Sequence, residues 1–455
     1  MSVSSISFLG FYFPLMLAAY YNPIFKSNTF RKLILFCASI GLYSFCEPNY
    51  AVLLIGLIAA NILFVKLSVF FHTKAFRVLA IAGDAGVLLF FKYINVFRPD
   101  LLNDNASQFI LPIGLSYFIF KCISYVVDSK DKKNGGIIDA AIYIANFLTI
   151  ISGPLSTYSD ELPFIREKKT ASLESIYNGM ERLIVGLAKK IILADSLNSL
   201  VMYCFGTSEL SVVMAWTGAI AYTLQLYFDF SGYTDMVIGI GYLFGFQLPE
   251  NFDSPYMAVS ISDFWKRWHI SLTKWFTKYI YYPLGGSRTN SAARHIFNLF
   301  VVWLVTGLWH GSNMTFLVWA MVYFVLQTLE KYTGIVKLVT RFHLGHLYTM
   351  LIVIIEWVIF KSKSVGAAWN YIKSMFFLNS CAFRLVDDFS MVAEYMIPLA
   401  LGLLFASNIG KKAKSVIIKS SLLSGIYNLG LLSLFVISFF IIISQGISAP
   451  LYAGF

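Results

Sequence analysis

The chain alternates long apolar runs with short polar segments from one end to the other. The apolar runs fall near residues 6–21, 33–43, 51–70, 78–97, 109–127, 137–152, 177–203, 212–228, 236–246, 296–310, 314–328, 347–360, 392–407 and 417–444. Some of them are too short to cross about 30 Å of hydrocarbon, so we expect a few half-helices or re-entrant segments. The pattern predicts an all-α polytopic membrane protein with roughly eleven to thirteen membrane helices.

The composition supports a membrane protein. Of the 455 residues, 58% are hydrophobic and 13% are charged, whereas soluble domains are about 45–50% apolar and about 25% charged. Because the hydrophobicity is even along the chain, we expect one membrane-embedded domain over residues 1–455. The net charge is +11, but the sequence has no basic tail and no RNA-binding motif, so no nucleic-acid partner is predicted. Five scattered cysteines without a CxxC pair favour packing residues over a disulfide framework.

The basic residues predict how the chain is oriented. Lys and Arg cluster in alternate loops, at 22–32, 72–77, 129–136 and 411–414, whereas the loops at 46–50 and 98–107 are poor in them. Basic loops generally face the cytoplasm, so we expect both termini on the outside. The first apolar run lacks a basic n-region and an A-x-A site, which favours a retained helix over a cleaved signal.

Residues 263–282 do not resemble a spanning helix. On an ideal helix the apolar and aromatic residues share one face, namely Phe264, Trp265, Trp268, Leu272, Trp275, Phe276 and Tyr279. The opposite face carries Asp263, Arg267, Ser271, Lys274 and Lys278. This pattern is typical of an amphipathic helix in the membrane interface, where it would act as an anchor or as part of a site. His269 lies at the edge of the aromatic face, as a packing residue or as a group that lines a cavity.

A second histidine lies in the segment TGLWHGSN, residues 306–313, between two apolar runs. Ionisable side chains within membrane segments usually face the protein interior or a water-filled cavity. A neutral imidazole there can take a proton from a hydroxyl group. Gly307 and Gly311 flank His310 and permit a bend or a close approach. The structural alternative is a histidine that caps the end of a broken helix.

Carboxylates flank a predicted Ser-Gly break in the segment YFDFSGYTD, residues 227–235. Asp229 and Asp235 could bind a cation, relay protons or pair with lysines such as Lys266 or Lys274, and pairing is favoured for buried charges. Interhelical pairs are also expected for the charged residues that interrupt apolar runs, Asp84, Lys92 and Lys121. His343 and His346 have metal-ligand spacing but no third ligand nearby, so a loop at a helix start is favoured and no metal site is predicted.

Three long motifs resemble those of the membrane-bound O-acyltransferase family, within its alginate O-acetyltransferase branch. They read FDFSGYTDMVIGIGYLFGF, PENFDSPYMAVSISDFWKRWHISLTKWFTKYIYYPLGGSR and TGLWHGSNMTFLVWA, and the resemblance is strongest over 227–320. Weaker similarity lies at 111–128 and 151–160. The resemblance implies a ring of helices, some re-entrant, around a central tunnel, in a bacterial inner membrane. The family's catalytic histidine in the WHG motif falls on His310, and the histidine of RWHIS falls on His269.

The resemblance also implies a reaction and its partners. Acetyl-CoA would be the donor, with no bound cofactor, and an extracytoplasmic SGNH-type protein would pass the acetyl group to alginate, peptidoglycan or another exopolysaccharide. The candidate substrate-binding residues are Trp309, Asp263, Lys266, Arg267, Lys274, Asp229 and Asp235. The basic ones could attract the phosphates of CoA. Lys266 and Thr273 replace the more usual Arg and Ser, but neither change removes a proton acceptor.

Two other functions remain open at this point. One is D-alanyl transfer to teichoic acid, the reaction of a neighbouring branch of the same family. The other is a transporter or flippase of a lipid-linked sugar, which would explain the helices but gives no role to the WHG motif. A transporter would also predict inverted repeats, and none is evident in the sequence. A non-catalytic scaffold is a weaker third hypothesis.

Overall fold

The computed structural model describes residues 3–24, 27–97, 111–129, 135–167, 172–207, 209–289, 291–378, 381, 385–417, 419–446 and 451. This part of the chain is helical and contains no β-strand, although a single antiparallel bridge joins Phe252 to Trp268. The prediction of an all-α protein is confirmed. The loop at 98–107 and most of the loop at 129–136, on which the predicted orientation partly rests, lie outside the described residues.

The chain divides into two compact units. Unit 1 comprises Met1–Leu183, Tyr233–Glu250 and Ala449–Phe455. Its helices are α1 (Phe13–Tyr20), α2 (Asn28–Cys46), α3 (Ala51–Phe70), α4 (Ala75–Phe97), α5 (Leu115–Asp128), α6 (Ile137–Ala145), α7 (Tyr158–Arg166) and most of α8 (Leu173–Ala188). A π-helical turn, Phe8–Tyr12, precedes α1. Helix α5 packs against α3, α4 and α6 and is buried along most of its length.

Unit 2 comprises Ile184–Gly232 and Asn251–Ser448. Its helices are α9 (Asn198–Gly206), most of α10 (Val212–Leu243), α11 (Ile261–Arg267), α12 (Ile270–Phe276), α13 (Ala292–His310), α14 (Met314–Thr333), α15 (Ile335–Arg341), α16 (Gly345–Lys361), α17 (Val365–Met375), α18 (Leu385–Glu394), α19 (Met396–Ala406), α20 (Ile409–Ile417) and α21 (Ser421–Gln445). Helix α14 packs against α11, α13 and α16. The prediction of one domain over the whole chain stays a prediction.

Several helices have the length and composition of membrane spans. Among the described residues, four qualify: Asn28–Cys46, Pro48–Phe70, Ala292–His310 and Ser421–Ser444. A fifth span is formed if α18 and α19, which meet at a bend of 51°, are counted together. Other apolar helices, such as α16 with 17 residues, are close to the lower limit of about 17 residues for a span. The total of roughly eleven to thirteen membrane helices therefore stays a prediction.

The predicted break at Ser231 and Gly232 is wrong. Helix α10 runs without interruption through 32 residues, and Asp229 lies inside it. The glycine serves helix packing, because a Cβ atom at position 232 would come within 2.7 Å of the carbonyl oxygen of Gly186. Small residues of this kind allow two helices in a membrane protein to approach closely.

Candidate active site

The segment at 263–282 is not one continuous helix. Helix α11 ends at Arg267, Trp268 is extended, and α12 begins at Ile270. His269 connects them in a left-handed conformation, with φ 46° and ψ 50°, which few residues other than glycine adopt. The prediction of a single ideal helix is therefore wrong, because the left-handed residue changes the direction of the chain and shifts the faces that follow.

A loop N-terminal to α11 fixes this break. The backbone N–H of Ile270 donates to the carbonyl oxygen of Asn251 at 3.0 Å, beside the bridge between Phe252 and Trp268. The Asn251 side chain is fully buried, and its Oδ1 lies 3.0 Å from Nδ1 of His269. The same oxygen accepts hydrogen bonds from the backbone N–H of Ser271, at 3.2 Å, and from its hydroxyl, at 2.8 Å. Ser271, predicted on the polar face, is accordingly buried.

The N-terminus of α11 is held in two ways. Ser260 caps the helix by accepting a hydrogen bond from the backbone N–H of Asp263 at 3.0 Å. The buried carboxylate of Glu330 accepts hydrogen bonds from the backbone N–H groups of Ile261 and Ser262, at 2.6 and 2.8 Å. Backbone N–H groups at a helix start have no partner within the helix, and a carboxylate there is stabilised by their partial positive charge. Glu330 therefore anchors α11 to α14.

The aromatic face predicted for this segment is buried inside the protein except at Tyr279, which is half-buried. Phe264, Trp268, Leu272, Trp275 and Phe276 all have less than 5% of their surface exposed, and Trp265 has 9%. The rings contact side chains of other helices rather than only one another. The division into apolar and basic faces is therefore retained on either side of the break, with the apolar face against α13, α14 and α16. The location of the segment in the membrane interface stays a prediction.

His310 is the last residue of α13 and is buried. Its ring lies among four aromatic rings, with centroid separations of 4.8 Å to Trp309, 5.0 Å to Trp319, 5.2 Å to Phe360 and 6.1 Å to Phe316. Such an apolar shell excludes bulk water and strengthens electrostatic interactions within it.

The glycines that flank His310 serve helix packing. A Cβ atom at Gly307 would lie 3.0 Å from Cβ of Ala320, and one at Gly311 would lie 2.8 Å from the ring of Phe316. Both contacts bring α14 close to the end of α13. The close approach predicted at these glycines is therefore made by a neighbouring helix.

A continuous layer of aromatic rings in unit 2 joins the surroundings of the two histidines. Trp319 contacts His310 at 5.0 Å and Trp357 at 6.2 Å, and Trp357 contacts Trp268 at 4.9 Å. His269, which follows Trp268 in the chain, is 1% exposed and packs edge-to-face on Phe230 at 4.8 Å. The fold therefore brings both sequence-predicted histidines into the interior of one unit.

A cavity of about 350 Å³ adjoins this layer. Its lining residues come from α11, α12, the turn after α12, α13 and α14, and they are Ser262, Trp265, Lys266, Leu272, Thr273, Phe276, Thr277, Tyr281, Leu299, Val302, Trp303, Thr306 and Gln327. Thr306 lies one helical turn before His310, and Trp265 contacts Trp319 at 5.7 Å. The wall is mainly apolar, with a few hydroxyl groups and one lysine, as in many small-molecule sites.

The predicted basic residues differ in their surroundings. Lys266 and Lys274 are exposed, and Lys266 also lines the cavity. Arg267 is half-buried and forms an ion pair with Asp263, 2.9 Å from Nε to Oδ1, four residues earlier in α11. Arg267 also lies 4.0 Å from Asp253, whose other oxygen is 2.6 Å from Nζ of Lys411. The hydrogen bond from Lys411 holds the pKa of Asp253 below its ordinary value.

The two predicted carboxylates form ion pairs, but not with the lysines that the sequence suggested. Asp229 is buried and lies 2.6 Å from Nζ of Lys190, which belongs to a π-helical turn, Lys189–Ala194. Asp235 belongs to unit 1, where it binds Arg182 at 2.8 Å. The favoured hypothesis of structural pairing is therefore supported, and the proposed partners Lys266 and Lys274 are wrong. Local sequence could not reveal partners that lie about 40 to 50 residues away.

Three further polar residues were missed by the sequence analysis: Asn251, Glu330 and Lys190. Asn251 lies inside the motif PENFDSPYM, quoted above for its resemblance, but nothing in its local pattern indicates that it binds a histidine 18 residues later. Glu330 lies in the last turn of the apolar helix α14 and resembles an ordinary surface residue in the sequence. Only the fold brings these groups to their partners.

Comparison with known proteins gives the same family as the sequence motifs. Residues 115–365 match the model of MBOAT, the membrane-bound O-acyltransferase family. A relative in Pseudomonas aeruginosa, described as a probable alginate O-acetylase, is 35% identical over 396 residues, which cover 83% of this chain and 75% of the relative.

Two other relatives extend the comparison. A peptidoglycan O-acetyltransferase of Helicobacter pylori is 32% identical, over 82% of this chain and 78% of that protein. A teichoic acid D-alanyltransferase of Bacillus subtilis is 28% identical, over 48% of this chain and 59% of that protein. Residues 115–365, which match the family model, contain both histidines, the aromatic layer and the cavity. The chain is therefore a multi-pass membrane protein with O-acyltransferase activity, and it belongs to the membrane-bound O-acyltransferase family.

Proposed function

We propose that this protein transfers acetyl groups from cytoplasmic acetyl-CoA to the hydroxyl groups of a cell-envelope polysaccharide, across the bacterial inner membrane. The acetyl group would leave the membrane by way of an SGNH-type protein on the outer side. The relatives that match more than four-fifths of this chain are described as acetylating alginate or peptidoglycan. The observation that carries the proposal is the buried imidazole of His310 at the end of α13, enclosed by aromatic rings.

His310 would act as the general base. Its imidazole takes the proton of the acceptor hydroxyl while the hydroxyl oxygen attacks the thioester carbonyl carbon. The C–S bond then breaks, the thiolate of CoA leaves, and the proton passes from the imidazole to that thiolate. The products are the acetyl ester and CoA thiol. A neutral histidine suits this task because its ordinary pKa lies close to physiological pH.

His269 would act on the donor, by orienting it or by polarising its thioester carbonyl. The exposed ammonium groups of Lys266 and Lys274 would attract the phosphates of CoA at the cytoplasmic side. Arg267 contributes less to this attraction in our proposal, because Asp263 and Asp253 already neutralise its charge. Trp309 would form part of the wall against which the reacting groups pack.

Acetyl transfer is favoured over D-alanyl transfer by the extent of the similarity. The teichoic acid D-alanyltransferase matches under half of this chain, whereas the acetylating relatives match 82% and 83% of it. A transporter of lipid-linked sugars would give no role to the buried histidine at the end of α13.

The test uses the full chain, purified into lipid nanodiscs together with the SGNH-type protein, and supplied with radiolabelled acetyl-CoA and a polysaccharide acceptor from the producing bacterium. We expect release of CoA thiol and labelled ester with the natural protein. We expect the loss of both with the variant His310→Ala. The matched control is His343→Asn, at an exposed turn residue with φ 57°, where asparagine tolerates the left-handed conformation.

Two outcomes would contradict the proposal. Full ester formation by His310→Ala would exclude His310 as the base. Transfer from a D-alanyl carrier protein, with none from acetyl-CoA, would favour the teichoic acid reaction.

A further inference from the structure

The side chain of Asn251 makes contacts that determine where the proton of His269 lies. Three groups surround its Oδ1, namely the backbone N–H of Ser271 at 3.2 Å, the hydroxyl of Ser271 at 2.8 Å and Nδ1 of His269 at 3.0 Å. Asn251, His269 and Ser271 each have no more than 1% of their surface exposed. The contacts therefore form within the protein interior, where an unsatisfied or mismatched hydrogen bond is costly.

The hydrogen bonds fix the orientation of the Asn251 side-chain amide. The oxygen and nitrogen of an asparagine side chain are assigned from the hydrogen bonds that they make. A backbone N–H can only donate, so the Asn251 atom that faces the N–H of Ser271 must be the oxygen. The reversed amide would place its NH₂ group against this N–H and lose the hydrogen bond.

The amide orientation in turn fixes the tautomer of the His269 imidazole. An amide oxygen can only accept, so Nδ1 of His269, which faces it at 3.0 Å, must carry the proton. A neutral imidazole carries one proton, and burial beside a neutral amide favours the uncharged form. The proton on Nδ1 therefore leaves Nε2 as the nitrogen that bears the lone pair.

The backbone holds the histidine in place for this contact. The left-handed conformation of His269 turns the chain back, and the carbonyl oxygen of Asn251 accepts the N–H of Ile270 at 3.0 Å. Phe230 packs edge-to-face on the imidazole at 4.8 Å and restricts its rotation. Both the main chain and the side chain of Asn251 thus bind the break between α11 and α12.

We infer that Asn251 is a positioning residue, which holds His269 in the tautomer protonated on Nδ1 so that Nε2 acts as a hydrogen-bond or proton acceptor. This inference rests on the proposed action of His269 on the donor and decides between the two roles given above. A neutral imidazole with a lone pair on Nε2 cannot polarise a carbonyl through that nitrogen. It can orient the donor by accepting a hydrogen bond, for example from an amide N–H of the donor's pantetheine arm.

The experiment reads the tautomer directly. The full chain is labelled with ¹⁵N-histidine, reconstituted in lipid and studied by solid-state NMR, where protonated and unprotonated ring nitrogens have well-separated shifts. The chain has six histidines, and the spectrum of His269→Gln identifies the signals of residue 269. We expect a protonated Nδ1 and an unprotonated Nε2. The inference is overturned if the proton lies on Nε2.

Variants of Asn251 test its role. Asn251→Leu removes the acceptor at similar volume, so we expect the Nδ1 proton signal of His269 to be lost or divided between the nitrogens. We expect acetyl transfer to fall by about 2- to 10-fold, the range for loss of one hydrogen bond between neutral groups. Asn251→Asp keeps an acceptor oxygen and should retain the Nδ1 proton, but its negative charge favours a second proton on Nε2, so acetyl transfer should fall. An unchanged tautomer in Asn251→Leu would overturn the inference.

Ser271→Ala is the matched control. It removes one hydrogen bond to the same oxygen but keeps the backbone N–H that orients the amide, so the tautomer should stay unchanged. If Asn251→Leu does not fold, the spectrum of the natural protein still decides the tautomer. The proposed function fails separately: a His269→Gln variant with full transfer would exclude a role of His269 in the reaction, whatever its tautomer.

Discussion

Two buried polar regions, one in each unit, show different uses of polar groups in a membrane protein. In unit 1, Lys121 and Glu161 are buried and lie 3.4 Å apart. Both oxygens of Glu161 also accept hydrogen bonds from neutral groups, the amide of Asn146 and the hydroxyl of Ser156. The ammonium group further donates to the carbonyl oxygen of Tyr143 at 3.0 Å and lies over its ring. In unit 2, by contrast, His310 lies among aromatic rings, and His269 packs on Phe230 and faces the neutral amide of Asn251.

The two regions differ in what their polar groups do: those in unit 1 stabilise the fold, and those in unit 2 are proposed to take part in the reaction. The ion pair in unit 1 balances one full charge with another and connects α5 to α7, which fixes the fold and confirms the interhelical pair predicted for Lys121. The histidines in unit 2 carry no full charge in the neutral form, and one ring nitrogen of each can accept a proton or a hydrogen bond. A buried ion pair whose carboxylate also accepts hydrogen bonds from neutral groups is suited to stability. An imidazole surrounded by aromatic rings is suited to proton transfer.

The largest expected effect is on activity in unit 2. His310→Gln should lower the rate of acetyl transfer by about 10²- to 10⁴-fold, because it removes the proposed base. The same substitution should alter the temperature of unfolding much less than a change in the Lys121 pair does. Radiolabelled transfer and thermal unfolding in detergent, measured on one preparation, test both statements. A variant that loses activity only because it unfolds would remove the contrast between the two regions.

The second effect is on stability in unit 1. Lys121→Met leaves the carboxylate of Glu161 buried without its cation, and the loss of one partner of a buried pair costs about 3–5 kcal/mol of unfolding free energy. Thermal or denaturant-induced unfolding of the reconstituted protein measures this loss of unfolding free energy. The double variant Lys121→Met/Glu161→Gln should recover part of the loss, since no charge is then unpaired. A single variant as stable as the natural protein would show that the pair does not support the fold.

A smaller effect is expected at Glu330, which anchors α11. Glu330→Gln keeps one acceptor oxygen but loses the second acceptor and the negative charge at the helix start, so unfolding should become easier by about 1–3 kcal/mol. Acetyl transfer should fall as well, because α11 leads into the break that holds His269. Glu174→Gln, at an exposed residue in the first turn of α8, is the matched control. Equal stability of the two variants would contradict the anchoring role.

The smallest effect is expected at the exposed pair of Asp253 and Lys411. Asp253→Asn should reduce stability by no more than about 1 kcal/mol, because water and salt screen an exposed ion pair. The pair lowers the pKa of Asp253, so its contribution is present above the ordinary pKa of aspartate and is lost as the pH falls through the lowered value. Unfolding of both proteins as a function of pH and salt measures the difference. A difference that grows at high salt would contradict this account.

The sequence predicted the class of the protein and its two histidines from signals that are local in the chain. Helices of membrane length follow from uninterrupted apolar runs, and His310 and His269 were identified by the motifs that surround them. The faces of 263–282 were partly correct, since the period of a helix assigns Phe264, Trp265 and Trp268 to the buried side. The same reasoning placed Ser271 on the wrong side because it assumed that the helix continues through His269.

The sequence by itself determined that this chain is a helical membrane protein of a known acyltransferase family, because composition, periodicity and motifs require no knowledge of distant contacts. Only the tertiary structure decided which polar groups meet: Lys190 with Asp229, Glu330 with the start of α11, and Asn251 with His269. These contacts join residues 18 to 69 positions apart. Their geometry depends on helix packing and on one left-handed residue, which no local pattern specifies.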